Sequence, residues 1–363
     1  MEFSEEIPMK GGDGIHGYAN NSSLQREAID VAKKLVNEAI AEKLDIGALV
    51  SSKTFCIADL GCSVGPNTFI AVENIIEAVK LKYQSQSPAS KIPEFQVFFN
   101  DHASNDFNFL FTSLSKDREY YVVGLPGSFH CRIFPEASLH IVHASSSIHW
   151  LSRVPKEVMN KNSPAWNGGR IHYTNSADEV IRAYKAQYDE DTDRFLQARA
   201  HEVVFGGLML LIFSSIPNGT LHSQPLENIF FHLLGSCLMD MAKKGIICEE
   251  KVDSFNIPYY VPTPEEFEAA VERNGCFSIE RKENARGVFV SKNLPNAHIF
   301  ASHLRAGMEG RLKQHFGGDI IDELFNLYHK KVEEMVPFML ESGKRMDLFV
   351  LLKRKADISP LVP

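Results

Sequence analysis

The chain has little of what marks several large protein classes. Its six cysteines (Cys56, Cys62, Cys131, Cys237, Cys248 and Cys276) are scattered over 363 residues without a closely spaced pair. That argues against a structural zinc module and reads as reduced thiols. Lys and Arg number 38 against 46 Asp and Glu, and the formal net charge of −8 gives no reason to expect nucleic acid as a partner. The strongest apolar run, Phe205 to Ile216, is too short to span a bilayer. The acidic start, Met1-Glu-Phe-Ser-Glu-Glu6, lacks the basic and apolar regions of a secretory signal. These absences predict a cytoplasmic protein with neither a membrane nor a nucleic-acid partner. The turn between Gly61 and Gly65 is spaced Gly-x-x-x-Gly, not the Gly-x-Gly-x-x-Gly expected of a dinucleotide fingerprint.

What is present is an ordinary globular balance, 44% hydrophobic and 23% charged, with 25 Phe and 10 Tyr to fill a core or line an apolar pocket. The length suits one large or two intimate domains. Buried strands are expected at Phe55–Ala58, Phe95–Phe99, Tyr121–Val123, Leu139–His143 and Gly206–Phe213. Helical spacing falls at Leu24–Leu44, Thr68–Tyr83 and Val180–Glu202. This alternation predicts an α/β fold, a mostly parallel sheet with helices on both faces. Helices at Ile229–Lys244 and Pro264–Glu272 suggest a helical cap, with late strands at Phe277–Ile279 and Leu348–Leu352 added to the sheet edge. The segment Met9–Ser23 is too glycine-rich and polar for a stable helix and reads as an arm or lid. Gln84–Pro93 reads as a polar linker, and Lys353-Arg-Lys355 as solvent-facing.

The densest signal is Ala58-Asp-Leu-Gly-Cys-Ser-Val-Gly-Pro-Asn67, a strand running into an acidic tip, a glycine turn and a helix. Such a turn lets a ligand approach the backbone closely. Asp59 would repel a pyrophosphate but suits a cationic or amino-bearing ligand such as S-adenosylmethionine; alternatively it caps the turn. Asp101, at the next strand tip, is placed to accept from vicinal ribose hydroxyls, or else to cap a following helix. Ligands of open sheets bind at the C-terminal strand ends, which brings Ser128, Phe129 and the Ser145–Trp150 loop to the same edge. Phe129 could cover an adenine face or anchor its loop. The imidazole of His149 and the indole of Trp150 could hold a carboxylate, though such a pair is often structural. His140 and His143, three apart on a strand, make a poor metal pair. The acidic group Glu249, Glu250 and Asp253 reads as solvated surface.

Seven motifs in order closely resemble the plant SABATH family of S-adenosylmethionine-dependent carboxyl and N-methyltransferases. They are Ser22-Ser-Leu-Gln25, the Ala58–Asn67 turn, Phe99-Asn-Asp-His102, Asn105-Asp-Phe-Asn108, Pro126-Gly-Ser-Phe129, His149-Trp-Leu-Ser152 and Val252-Asp-Ser-Phe-Asn-Ile-Pro258. The resemblance implies a Rossmann-like class I methyltransferase core with a seven-stranded sheet, an α-helical cap and a homodimer. It divides the chain into a core with N-terminal lid (1–216), a cap (217–316, with core elements returning near 273–283) and a C-terminal core element and tail (317–363). It assigns Tyr18, Asp59, Cys62, Asn67, Asp101, His102, Ser128 and Phe129 to the methyl donor; His102 stands where relatives often carry leucine. Gln25, His149 and Trp150 would position a carboxylate, and His149 favours a carboxyl acceptor over a purine nitrogen. Ser146 departs from the larger residue common in relatives and would open room for a bulkier acid. Together with Gly168–Tyr173, His149 resembles the loganic-acid and farnesoic-acid methylating members. Asn167, Asp253, Phe255 and Asn256 match positions of a structural Mg2+ site in some relatives. The implied reaction is methylation of a small organic acid, terpenoid, iridoid or hormone-like. The alternatives are N-methylation of a xanthine-like heterocycle and an inactive metabolite-binding protein.

Overall fold

The computed structural model describes residues 7–49, 53–86, 92–285, 296–342 and 346–356. Seven strands form one sheet: β1 (Thr54–Leu60), β2 (Glu94–Asp101), β3 (Tyr121–Pro126), β4 (Leu139–Ser145), β5 (Val203–Ser215), β6 (Phe277–Asn284) and β7 (Met346–Arg354). Their spatial order is β3-β2-β1-β4-β5-β7-β6. The first five run parallel, and β7 is antiparallel to both β5 and β6. The late strands are therefore not both edge additions. β7 lies between β5 and β6, its Leu348–Leu352 stretch buried.

Ten helices accompany the sheet among the described residues. In chain order α1 spans Ser23–Lys43, α2 Ile46–Leu49, α3 Pro66–Gln86, α4 Phe107–Thr112 and α5 Asp178–Glu202. The second half adds α6 (Leu226–Lys243), α7 (Glu249–Asp253), α8 (Pro264–Asn274), α9 (Ala297–Phe316) and α10 (Ile321–Ser342). Alternate strand residues divide between two cores, as a period of two requires. Ile57, Val97, Ile141, Leu210 and Leu351 pack with α1 and α3, whereas Ala58, Val142, Leu211 and Val350 pack with α5 and α8. A third core joins α6, α7, α9 and α10 to Ile257, Tyr259 and Val261, so α10 belongs with the cap helices rather than with β7.

Local chemistry explains several boundaries. Thr263 accepts from the Glu266 N–H while Glu266 accepts from the Thr263 N–H, a reciprocal cap ahead of Pro264. Asp106, not Asp101, caps α4 by accepting from the Phe109 N–H at 2.9 Å. The apolar run at Phe205–Ile216 is largely the interior strand β5, and no helix among the described residues is long and apolar enough to cross a membrane.

Three expectations change. The Gln84–Pro93 linker is helical to Gln86, and its 87–91 portion lies outside the described residues. Arg354 does not face solvent: it is 6% exposed and donates to the carbonyls of Ala200 and Cys276, which satisfy its buried guanidinium. The Met9–Ser23 arm lies against α9, with Lys10 N–H donating to the Ala306 carbonyl and Lys10 Nζ 2.6 Å from Glu309. Gly307 and Gly310 provide the seat. A Cβ on either would meet Met9 Sδ at 3.3 Å or Ile7 Cγ2 at 2.9 Å.

Candidate active site

Parallel order reverses between β1 and β4, and the strand tips there open onto a solvent-connected cavity whose empty space, open solvent included, is about 840 Å3. This is where a doubly wound sheet leaves a crevice. Its walls carry Gly61 and Ser63 after β1, Asp101 and His102 at β2, Ser128–His130 after β3, and Ser145–Ser147 at β4. A second cavity, also open to solvent and with about 730 Å3 of empty space when that solvent is included, lies toward the cap and is lined by Gln25, His149, Ser214, Glu227, Tyr259 and His303 among others. Met9, Tyr18, Ser146, Trp150 and Gly307 line both. The two spaces therefore meet at these five residues.

The β1 turn is shaped for close approach. Gly61 has φ +79°, and a Cβ there would lie 2.4 Å from Ser147 Cβ. The N–H groups of Gly61 and Cys62 both donate to the Asn100 carbonyl, pinning the turn to β2. Asp101 is held by two backbone donors, Ser63 N–H at 2.7 Å and His102 N–H at 2.8 Å. Burial raises its carboxyl above the ordinary range, against the opposing pull of His102 and of these N–H groups. Burial, aided by the Asp101 charge, likewise keeps the Tyr18 phenol neutral.

Three polar atoms on this wall, Ser63 Oγ, Ser145 Oγ and His130 Nδ1, are buried without a hydrogen-bond partner among the described residues. Burial also lowers the His130 pKa, and its other nitrogen lies 3.2 Å from the Trp150 carbonyl. Unpaired buried polar atoms around an acidic strand tip fit a polar, hydroxyl-bearing ligand such as a nucleoside.

Phe129, 7% exposed, packs at a tilt against His130 with ring centroids 4.5 Å apart and meets Phe195 edge-on, so it both lines the cavity and anchors its loop. Three residues that the resemblance assigns to the donor line neither cavity. Asp59 is turned inward: His143 Nδ1 lies 2.6 Å from one carboxylate oxygen, and Thr68 donates to the other. Cys62 is buried, its thiol pushed well up by burial and by the charges of Asp101 and Asp59. Asn67 donates to Ser22 at its carbonyl (3.0 Å) and hydroxyl (2.9 Å), tying α3 to the start of α1. His140, stacked on Phe55, takes the Cys56 N–H instead of sharing a ligand with His143.

On the cap side, Gln25 joins the adjacent pair His149 and Trp150 on one cavity wall, although it is far from them in sequence. Trp150 forms an isolated bridge with Tyr259, and the Tyr260 N–H donates to the His149 carbonyl. Tyr259 lies 4.6 Å from the His149 ring and edge-on to Trp150 at 5.0 Å. Gln25 Nε2 lies 3.3 Å from His303 Nε2, while His303 Nδ1 lies 3.2 Å from the Asn21 carbonyl. An Nδ1–H donor to Asn21 makes Nε2 the acceptor for the Gln25 amide. Ser146 sits at φ +56° at the junction of the two cavities, so its small side chain opens both rather than the acceptor side alone.

Asn167, Asp253 and Asn256 are neighbours, but they hold one another and nearby backbone. Asn167 Nδ2 donates to Asn256 Oδ1 at 2.8 Å, Asn167 Oδ1 accepts from Ser176 Oγ, and Asp253 Oδ1 accepts from the Gly169 N–H at 2.7 Å. Asp253 is thus half-buried and structural, unlike the exposed Glu249 and Glu250. Phe255 packs its ring on Phe316. Among the described residues no group of three or more His, Cys, Asp or Glu could hold a metal. One carboxylate beside two hydrogen-bonded carboxamides does not fit the oxygen-rich shell of Mg2+, so the expected Mg2+ finds no support.

Sequence reasoning missed Ser63, His130, Ser214, Glu227, Tyr259 and His303. Ser214, at the tip of β5, could have been flagged by the strand-end rule. Ser63 lies within the glycine turn already singled out, and the others carry no local pattern.

Residues 4–355 match the family described as SAM dependent carboxyl methyltransferase. The chain is 47% identical over 359 residues to loganic acid O-methyltransferase of Catharanthus roseus, covering 97% of this chain and 95% of the relative. It is 39% identical over 355 residues to farnesoic acid carboxyl-O-methyltransferase of Arabidopsis thaliana, covering 97% and 100%. A loganic acid methyltransferase solved with SAH superposes with a TM-score of 0.91 at 47% identity, covering 96% of this chain and 99% of that one.

Proposed function

The chain belongs to the SAM dependent carboxyl methyltransferase family, and from that premise we propose that it methylates the carboxylate of a terpenoid or iridoid acid. The products are a methyl ester and S-adenosylhomocysteine. One observation carries the reading: a cavity at the strand tips and a cavity under the cap meet at Tyr18, Ser146 and Trp150, with Gln25 and His149 on the cap side. Identity to loganic and farnesoic acid methyltransferases supports the acid class.

S-adenosylmethionine supplies an electrophilic methyl group. The wall that suits it holds Asp101, an acceptor for ribose hydroxyls, with Ser128 and Phe129 beside it. The acid is ionised near neutral pH, so no general base is required. Gln25, His149 and Trp150 supply N–H donors that hold the carboxylate with one oxygen toward the junction. Tyr259 fixes both His149 and Trp150, and His303 orients Gln25. Catalysis is then chiefly alignment, the effective-concentration gain of holding two reactants in line. The reading extends to a cytoplasmic homodimer whose partner is a small carboxylic acid, with neither membrane nor nucleic acid involved. Six free cysteines and the net charge of −8 support this setting, and light scattering after gel filtration checks the dimer.

Turnover is tested with labelled methyl donor against salicylic, benzoic, jasmonic, indole-acetic, farnesoic, gibberellic and iridoid acids and xanthosine, with mass spectrometry locating the methyl group. An ester from a terpenoid or iridoid acid is expected. Methylation on nitrogen alone would replace this reading with the xanthine one, and binding without turnover would leave a metabolite-binding protein.

A further inference from the structure

Resting on the carboxyl-methylating reading, we propose that Glu227 makes the acceptor cavity selective for acids that carry hydroxyl groups and only one carboxylate. Glu227, in the first turn of α6, lines the cap-side cavity and not the strand-tip cavity. Ser214, at the tip of β5, lines the same cavity and donates its hydroxyl to Glu227 Oε1 at 3.1 Å. An ionised carboxylate is an acceptor only. It cannot help to hold the reacting carboxylate, which Gln25, His149 and Trp150 serve with N–H donors.

A hydroxyl can donate to Glu227 and replace the water displaced on binding. A hydrocarbon chain cannot, and it would strip solvent from a charged group without replacing its hydrogen bonds. A second carboxylate on the acceptor would meet like charge at close range. The remaining wall, with Leu24, Phe230, Phe231, Leu304 and Met308, accepts an apolar skeleton. The occupant is therefore an apolar-framed, hydroxylated monoacid. Sites built to bond a hydroxyl discriminate strongly against analogues that lack it.

The test compares catalytic efficiencies for hydroxyl-rich loganic acid, hydrocarbon farnesoic acid and a dicarboxylic acid of similar size, in wild type, Glu227→Gln and Glu227→Leu. Calorimetry with S-adenosylhomocysteine checks that each variant keeps its fold, since the strand-tip cavity does not contain Glu227. Wild type should favour loganic over farnesoic acid by roughly tenfold or more and disfavour the dicarboxylate most. Glu227→Leu should shift the loganic-to-farnesoic ratio toward farnesoic acid by at least roughly tenfold. Glu227→Gln, which keeps an acceptor oxygen but loses the charge, should improve the dicarboxylate selectively. Ester formation with ratios unchanged in both variants would overturn the assignment of Glu227 and leave the carboxyl-methylating reading standing. No ester from any acid would overturn that reading and this inference with it.

Discussion

The two cavities share five wall residues yet are built in opposite ways. The strand-tip wall is backbone-rich, made chiefly of short stretches at strand ends: Gly61 and Ser63, Asp101–His102, Ser128–His130 and Ser145–Ser147. Its carboxylate is oriented by main-chain N–H groups, and its turn is held by main-chain bonds to Asn100. The cap-side wall is made of single side chains from α1, β5, α6 and α9 and the Tyr259 loop. A ligand common to a whole family suits the first, because backbone geometry tolerates little variation. The second can change its occupant one side chain at a time.

That contrast can be broken most severely at Gly61. Gly61→Ala forces a side chain into a left-handed conformation and against Ser147. The strain alone costs about 1–3 kcal/mol. The largest fall in donor affinity, with a lower melting temperature, is expected here. Calorimetry and thermal melts measure both, and near-wild-type donor binding would show the turn to be plastic.

Asp101→Asn should come next, at about 1.5–3 kcal/mol of donor affinity from a lost charge-assisted contact. Because burial raises the Asp101 carboxyl above its ordinary 3.8, the acceptor charge is lost as pH falls toward that raised value. Donor affinity of wild type should weaken on acidification, and Asp101→Asn should flatten the profile. Parallel profiles in the two proteins would remove Asp101 from the role.

Gln25→Leu sharpens the comparison from the other side, since Gln25 lines only the cap-side cavity. Acid kcat/KM should fall by roughly tenfold, about 1.4 kcal/mol, while donor affinity holds. Equal losses in both would mean the two walls are not separable.

The smallest effect is expected from Lys10→Met, which loosens the arm whose Met9 borders both cavities. Burial pushes Glu309 up, but hydrogen bonds from Lys10, Lys313 and Arg305 hold it down at about 2. A depressed carboxyl stabilises the fold above its ordinary 4.5 and loses that contribution as pH falls toward about 2. Lys10→Met should shrink this acid-labile part by less than about 1 kcal/mol, read from melts across that window. Melts that superpose at every pH would assign the clamp to Arg305 and Lys313 alone.

How much was legible follows the same division. Every expected strand is present because alternation of apolar residues is a property of chain neighbours. The strand expected at Tyr121–Val123 runs on through Gly124 to Pro126, because pairing with Phe99–Asp101 extends β3. Asp101 was readable as a strand-tip acid. Asp59 looked equivalent, but only packing reveals that His143 and Thr68 take its carboxylate.

By itself the sequence determined the α/β alternation, the glycine turn, the two strand-tip acids and the family. Each depends on residues adjacent along the chain or on motifs kept in order. Only the tertiary structure decided that β7 enters between β5 and β6, that Arg354 is buried and that Glu227 and His303 share a cavity with Gln25. Those facts join segments from distant parts of the chain. Their energies come from burial and from pairing buried polar groups, which no short window of sequence contains.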